Sequence, residues 1–265
     1  MTEINKLIFM KQIFSIALVA LLLASCGNKN QDLGLTTISD YAPLTIGKYI
    51  TYSVDSLLFT NFGTTETHVL YEAKYLVADT FVDNIGRKNF KIIRYIRKNP
   101  TESFVSEYTF SAINTGNNYE FVENNQRFLK LTIPIKNAYV WKGNTYINLS
   151  TPIGFGNMNS SYLDDWDYTY EDVDGPMPIP LAGFTLSNTV TVNQRNMSLN
   201  LPVTGSTNIA SKDFAKEIYA KNIGLVYRQL IHWEYQLSSK YIGFGITMKM
   251  IDKNWGFWLF NLDIK

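Results

Sequence analysis

From Tyr241 to Ile251 every second residue is apolar: Ile242, Phe244, Ile246, Met248 and Met250 alternate with Gly243, Gly245, Thr247 and Lys249. A period of two sends the two sets to opposite faces of a strand, and it fits no helix, whose period is about 3.6. This alternation limits the fold more than any other feature, and it recurs along the chain. Thr185–Gln194 repeats it through Leu186, Val190 and Val192, and His68–Phe81 repeats it through Val69, Tyr71, Ala73, Tyr75 and Val77. Arg87–Arg97 follows across Asp83-Asn84-Ile85-Gly86, which predicts a hairpin turn. Further strands are expected over Lys48–Phe59, Phe104–Ser111, Tyr119–Val122, Arg127–Ile133, Tyr162–Tyr170 and Gly224–Trp233. Turn residues separate them at 114–117, 123–125 and 142–144. Ser211–Tyr219 carries Phe214 and Ile218 four apart, as a capped helical turn would, but strand is the preferred reading. Asn193–Lys212, rich in Asn, Ser and Thr, is expected to be a long loop, and Gly175–Pro180 a rigid extended connector.

Short strands separated by turn signals imply an antiparallel sandwich or barrel. Neither the 193–212 segment nor the 175–180 connector divides the chain, so a single β domain is expected from Tyr41 to Lys265. The chain can bury such a core, because 46% of its residues are hydrophobic and 14% aromatic. The same composition excludes several functions. Charges are balanced, 24 Lys and Arg against 23 Asp and Glu, so nothing suggests the basic surface that nucleic-acid binding needs. One cysteine makes neither an internal disulfide nor a cysteine-based zinc site, and two histidines leave little for acid–base chemistry.

The N-terminus carries Lys6 and Lys11, an apolar run from Ile13 to Leu23, and then Ala24, Ser25 and Cys26. A basic stretch, a short apolar run and small residues before a cut describe a secretory leader. The run is too short to span a membrane comfortably, since a spanning helix needs about 20 apolar residues. Leu23-Ala24-Ser25-Cys26 resembles the lipobox of bacterial lipoproteins, in which the cysteine is acylated and becomes the first mature residue. That resemblance implies a leader over 1–25 and a lipidated, flexible tether over 26–40, with Met1 or Met10 as the start. Acyl chains would then hold the domain at a membrane surface, each buried CH₂ contributing about 0.8 kcal/mol. The mature chain would hold 22 basic and 22 acidic residues and no free thiol.

Several short motifs resemble lipoproteins encoded by Bacteroidota. They are Tyr41-Ala42-Pro43-Leu44, Gly47-Lys48-Tyr49, Tyr52-Ser53-Val54-Asp55-Ser56, Trp141-Lys142-Gly143-Asn144 and Tyr219–Tyr227. The resemblance implies an all-β fold, one antiparallel and strongly curved sheet closing into a lipocalin-like barrel or half-barrel. It implies a place in the bacterial cell envelope, on the outer membrane, and assigns no activity. Asp55-Ser56-Leu57 also resembles the acceptor pattern for O-glycosylation of exported proteins in such bacteria. Gly143 and Gly224 are expected at turns that need positive φ.

The densest polar feature is Asp164–Asp174, with six carboxylates in eleven residues. An oxygen cage for Ca²⁺ could form there, with Asp172 and Asp174 as the ligands, though the spacing is not that of an EF-hand. Otherwise this is a solvated acidic strand and turn. A glycan hydrolase acting through the 164–174 carboxylates is the alternative function, and it would need two facing groups in a sugar cleft. His68 and His232 are expected to be ordinary strand residues. Most of the 38 aromatic residues must be core, leaving Trp141, Trp166 and Trp233 as candidates for ligand contact. The aromatic tail 255–265 reads as a last strand, a membrane-touching segment or an edge that meets a partner. The leading expectation is a lipid-anchored envelope module without catalysis or cofactor. It would bind a small apolar or glycan-like ligand, or serve as a structural partner of an envelope protein.

Overall fold

The computed structural model describes residues 36–147, 163, 166–179, 184–204, 207–236 and 240–252. Within them one short helix, α1 (Ile38–Tyr41), precedes β1 (Tyr49–Thr60), β2 (Thr65–Val82), β3 (Lys88–Arg97), β4 (Val105–Asn114), β5 (Asn118–Glu123) and β6 (Gln126–Thr132). The chain continues through β7 (Val140–Lys142), β8 (Asp167–Ile179), β9 (Phe184–Leu199), β10 (Ala210–Ala220), β11 (Gly224–Gln236) and β12 (Lys240–Met250). All pairings are antiparallel, in the order β6-β5-β4-β3-β2-β1-β12-β11-β10-β9-β8-β7. This is a meander in which the first strand pairs with the last. Its two edges, β6 and β7, are consecutive in the chain.

Those edges meet. Leu129 N–H on β6 donates to the Gly143 carbonyl (2.7 Å), and the Trp141 indole N–H donates to the Leu129 carbonyl (2.9 Å). The Tyr170 hydroxyl bridges the same seam, donating to the Thr132 carbonyl (2.8 Å) and accepting from its N–H (2.9 Å). The expected all-β, strongly curved antiparallel sheet is therefore present, nearly closed into a barrel of twelve strands among the described residues. Closure protects the edge groups that an open sheet would expose.

Alternation sets the inner face as expected. Tyr52 and Val54 on β1 stand opposite Ala73 and Tyr71 on β2 and Met250 and Met248 on β12. Tyr52, Val54, Ala73, Met248 and Met250 are buried together. The hairpin at Asp83 also forms. Its carboxylate accepts from the backbone N–H groups of Arg87 (2.9 Å) and Ile85 (3.1 Å) and from Arg87 Nε (2.9 Å). These bonds, led by the Arg87 backbone N–H, hold its pKa down at about 2.

Three expectations are corrected. Half of the segment 193–212 is strand, with 200–209 between β9 and β10. A register shift between Ala215 and Lys216 turns Arg195, Met197 and Leu199 toward the face of Ala215 and Asp213, so their alternation is out of phase with Val190 and Val192. Gly175–Pro180 is not a connector as far as Ile179, because β8 runs through it. The three-residue β7 covers only Asp167–Thr169, so the prolines lie where no β7 ladder asks for an N–H. The strand expected from Tyr162 begins at Asp167. Among the described residues the chain before β1 is packed from α1 onward. Ile38 and Tyr41 are both wholly buried there, and Thr37 N–H bonds the Asp40 carboxylate (2.8 Å) across the first turn of α1.

Gly143 is required for a reason other than positive φ. A Cβ built there would lie 2.3 Å from ring carbons of Tyr168, a fully buried side chain on the inner wall. Gly143→Ala should cost about 1–3 kcal/mol by overpacking, read as a lower urea midpoint with unchanged slope. Gly224 does occupy the left-handed region, with φ of 108°, as expected.

Candidate functional site

The barrel interior is charged where an apolar core would be the simple solution. Glu217 on β10 accepts from Lys130 Nζ on β6 (2.7 Å) and from the Tyr219 hydroxyl (2.7 Å). Arg228 on β11 lies 3.5 Å from Glu217 through Nε and forks onto both oxygens of Glu123 on β5 (3.2 and 2.9 Å). Because β5 and β6 stand across the lumen from β10 and β11, the ladder Glu123–Arg228–Glu217–Lys130 ties opposite walls together. Burial pushes the Glu217 carboxyl up, but Lys130 and Arg228 outweigh it and hold the group below its ordinary range. Burial also lowers the Lys130 ammonium, with Glu217 opposing, and raises the hydroxyls of Tyr119, Tyr168 and Tyr219.

Two cavities flank this ladder, and both touch Tyr75 and Arg228. The lower one, about 100 Å³, is bordered by α1 and the following turn, with Tyr41, Leu44, Tyr49 and Ile223 in its wall. The upper one, about 420 Å³, is lined by Tyr71, Arg94, Tyr108, Phe110, Phe244 and Met248 among others. Burial of Tyr75 pushes its pKa up to about 12. Above the upper cavity the inner wall is wet. Leu58 (42% exposed), Tyr108 (50%), Met197 (54%) and Ile242 (42%) sit in inward register near the strand tips and still face solvent. The lower end carries α1 and the turn after it, and the upper end has an apolar mouth.

Arg94 on β3 is the one cation of this cavity not held by the ladder. Its Nη2 bonds Glu107 (2.5 Å) and its guanidinium lies over the rings of Tyr108 (4.7 Å) and Phe110 (5.8 Å). Nearer the mouth, His232 points inward and bonds Asp213 through Nδ1 (2.5 Å), 6.4 Å from the Phe244 ring. His68 is on the outer surface between Asp55 (2.8 Å) and Glu66 (3.1 Å), and its bond to Asp55 raises its pKa.

The expected site residues are placed elsewhere. Trp141 and Trp166 are packed into the wall and line neither cavity. Trp141 lies 4.4 Å from the Tyr170 ring, and Arg195 stands 5.8 Å over Trp166. Trp233 is on the outer face, edge-on to Tyr241 at 5.3 Å. Asp172 and Asp174 sit at positive-φ bulges of β8, and Asp174 accepts from the Tyr41 hydroxyl (2.9 Å). Among the described residues no three His, Cys, Asp or Glu side chains are grouped as a metal would need. Of the acidic stretch, Asp167 pairs with Lys142 at the surface (3.0 Å) and Glu171 accepts from Asn193 (3.1 Å), while Asp164 and Asp165 lie outside the described residues. Cys26 and the tail 255–265 also lie outside them. Ser56 lines the upper cavity and donates to the Tyr71 hydroxyl (3.4 Å), so its hydroxyl is turned from the outer surface.

Glu123, Lys130, Glu217, Arg228 and Arg94 were not singled out from sequence. A signal exists: Arg228 shares its phase with Val226 and Leu230, and Glu217 with Ala215 and Tyr219. A charge in phase with the apolar face of a strand must be paired or functional.

The geometry defines a class, an antiparallel β-barrel with a polar ladder inside and a cavity open at one end. No protein-family model matches the chain, and no curated protein matches it. Among solved structures, a Bacteroides fragilis protein of inferred export with a YmcC-like fold is similar at 13% identity and a TM-score of 0.34, over 80% of this chain and 97% of its own.

Proposed function

We propose that this chain is a lipid-anchored, non-catalytic binding module of the cell envelope, with its ligand held in the upper cavity. The observation that carries the binding role is the wet, apolar inner wall leading into about 420 Å³ of space. Small-ligand sites are concave, mostly apolar, about 300–1,000 Å³, with a few polar groups that fix orientation. Arg94, Ser56 and Tyr71 are those groups here. A barrel that served only as a scaffold would fill its interior with side chains. Support for the anchor comes from the leader and Leu23-Ala24-Ser25-Cys26.

Mass spectrometry of protein extracted from its native host tests both parts. The expected N-terminal peptide starts at Cys26 and carries acyl mass. The expected native spectrum shows a small molecule at near one per chain, released on denaturation. Protein recovered without any small molecule would remove the binding role, and an unmodified or absent Cys26 peptide would remove the anchor.

A further inference from the structure

We infer that the upper cavity takes a single-chain amphiphile with one acidic group, the acid meeting Arg94 and the chain lying along Phe110, Phe244, Ile246 and Met248; this rests on the binding role proposed above. The first observation is an incomplete hydrogen-bond set. Arg94 Nε is closed off from solvent and has no hydrogen-bond partner, while Nη2 is held by Glu107. A buried N–H left unmade is costly, more so on a charged group, and such groups in native proteins call for an explanation. Arg94 lines the cavity, and a turn of its guanidinium toward that space would bring Nε to an acceptor carried by a ligand.

Charge around the cavity sets what that acceptor is. The other ions in its wall, Arg228 and Glu123, already satisfy each other through two bonds. Glu107 takes one position on Arg94, so a two-pronged clasp of a phosphate is blocked, and Glu123 and Glu107 both repel a second negative charge. One singly charged oxyanion fits, and a carboxylate is the simplest.

The walls decide the rest of the molecule. Phe110, Phe244, Ile246 and Met248 offer aromatic and aliphatic surface. The neutral polar groups are Ser56, Tyr71, Tyr75, Tyr108 and Asn124, of which Ser56 and Tyr71 bond each other and Tyr75 is engaged by Met248 Sδ (3.9 Å) and Arg94. A sugar would bring more hydroxyls than these can match, and each unmatched one would be desolvated. A hydrocarbon chain needs no such partners. The exposed Leu58, Tyr108 and Ile242 at the mouth give it an apolar route in.

The purified protein is titrated with palmitic acid, methyl palmitate and 1-hexadecanol, each below its aggregation concentration, by native mass spectrometry and calorimetry. The acid is expected to bind at least about tenfold more tightly than the ester or the alcohol. Arg94→Met is expected to bring the acid down to the level of the alcohol measured on the same variant. Equal binding of all three probes, or an acid preference that survives Arg94→Met, overturns the inference. Should Arg94→Met fail to fold, Glu107→Gln, at a more exposed position, frees Arg94 from its rival anion and is expected to raise acid affinity several-fold. No rise there also overturns it. If none of the probes binds but host-extracted protein carries another molecule, this inference falls and the binding role stands. If the extracted protein is empty as well, both fall.

Discussion

Glu217→Ala should lower the stability of the barrel by about 3–5 kcal/mol, a large part of the 5–15 kcal/mol typical of a folded domain. The loss comes from what remains behind. Lys130, 5% exposed at its side chain, would be left buried without its hydrogen-bond partner, and Arg228 would keep only Glu123. Replacing the pair together tests this account. Lys130→Met with Glu217→Leu removes both charges and leaves the Arg228–Glu123 fork intact, so most of the stability should return. Urea melts read both variants. A double variant as unstable as the single would mean that shape, not stranded charge, sets the cost. The pH dependence gives a second reading. Glu217 has a folded pKa below its ordinary value, so it contributes stability above the carboxylate range that is lost as pH falls through the depressed value. Glu217→Ala should therefore flatten the acid limb of the stability curve.

What the sequence made legible was local. The period of two in Tyr241–Ile251 and His68–Phe81 is a property of neighbouring residues, and β12 and β2 appear where it predicts them. The ladder was hidden because its partners meet only after the sheet closes: Lys130 and Glu217 are 87 residues apart, and Glu123 and Arg228 are 105 apart. The phase of Glu217 and Arg228 with apolar neighbours marks them as inward charges, but it does not say which partners meet them. The segment 193–199 departs from its loop-like composition for a related reason. One register shift against β10 puts Arg195, Met197 and Leu199 out of phase with Val192, and the polar residues between them then dominate the composition. Gly143 was legible as an obligatory glycine, but its cause is the Tyr168 ring, 25 positions on and brought over it by β7–β8 pairing. The candidate site shows the same limit. Aromatic type alone pointed to Trp141, Trp166 and Trp233, whereas the cavity wall is chosen by register, which gives it Phe110, Phe244 and Arg94.

Trp141→Ala should cost about 3–5 kcal/mol, on a scale with the loss of the Glu217 carboxylate, and it should do so by opening the seam. The indole is 8% exposed, touches the rings of Tyr168 (5.7 Å) and Tyr170 (4.4 Å), and donates to the Leu129 carbonyl on the facing edge. Removing it deletes packing volume and leaves that carbonyl short of a partner at the one place where β6 and β7 join without a regular ladder. Trp141→Phe separates the two effects. It keeps most of the ring contact and loses the N–H, so it should cost about 1–2 kcal/mol. Hydrogen exchange adds the spatial test. In Trp141→Ala the Leu129 N–H, bonded across the seam to Gly143, should lose protection first, while the β1–β12 ladder keeps its own. Uniform loss across both ladders would show that the seam has no local role. The two functions once open for this residue also part here. As a ligand contact, Trp141 would change the amount of co-purified ligand and leave the urea midpoint alone. As the wedge that closes the sheet, it moves the midpoint first, and the cavity lined by Arg94 and Phe244 follows only because the barrel that forms it has opened.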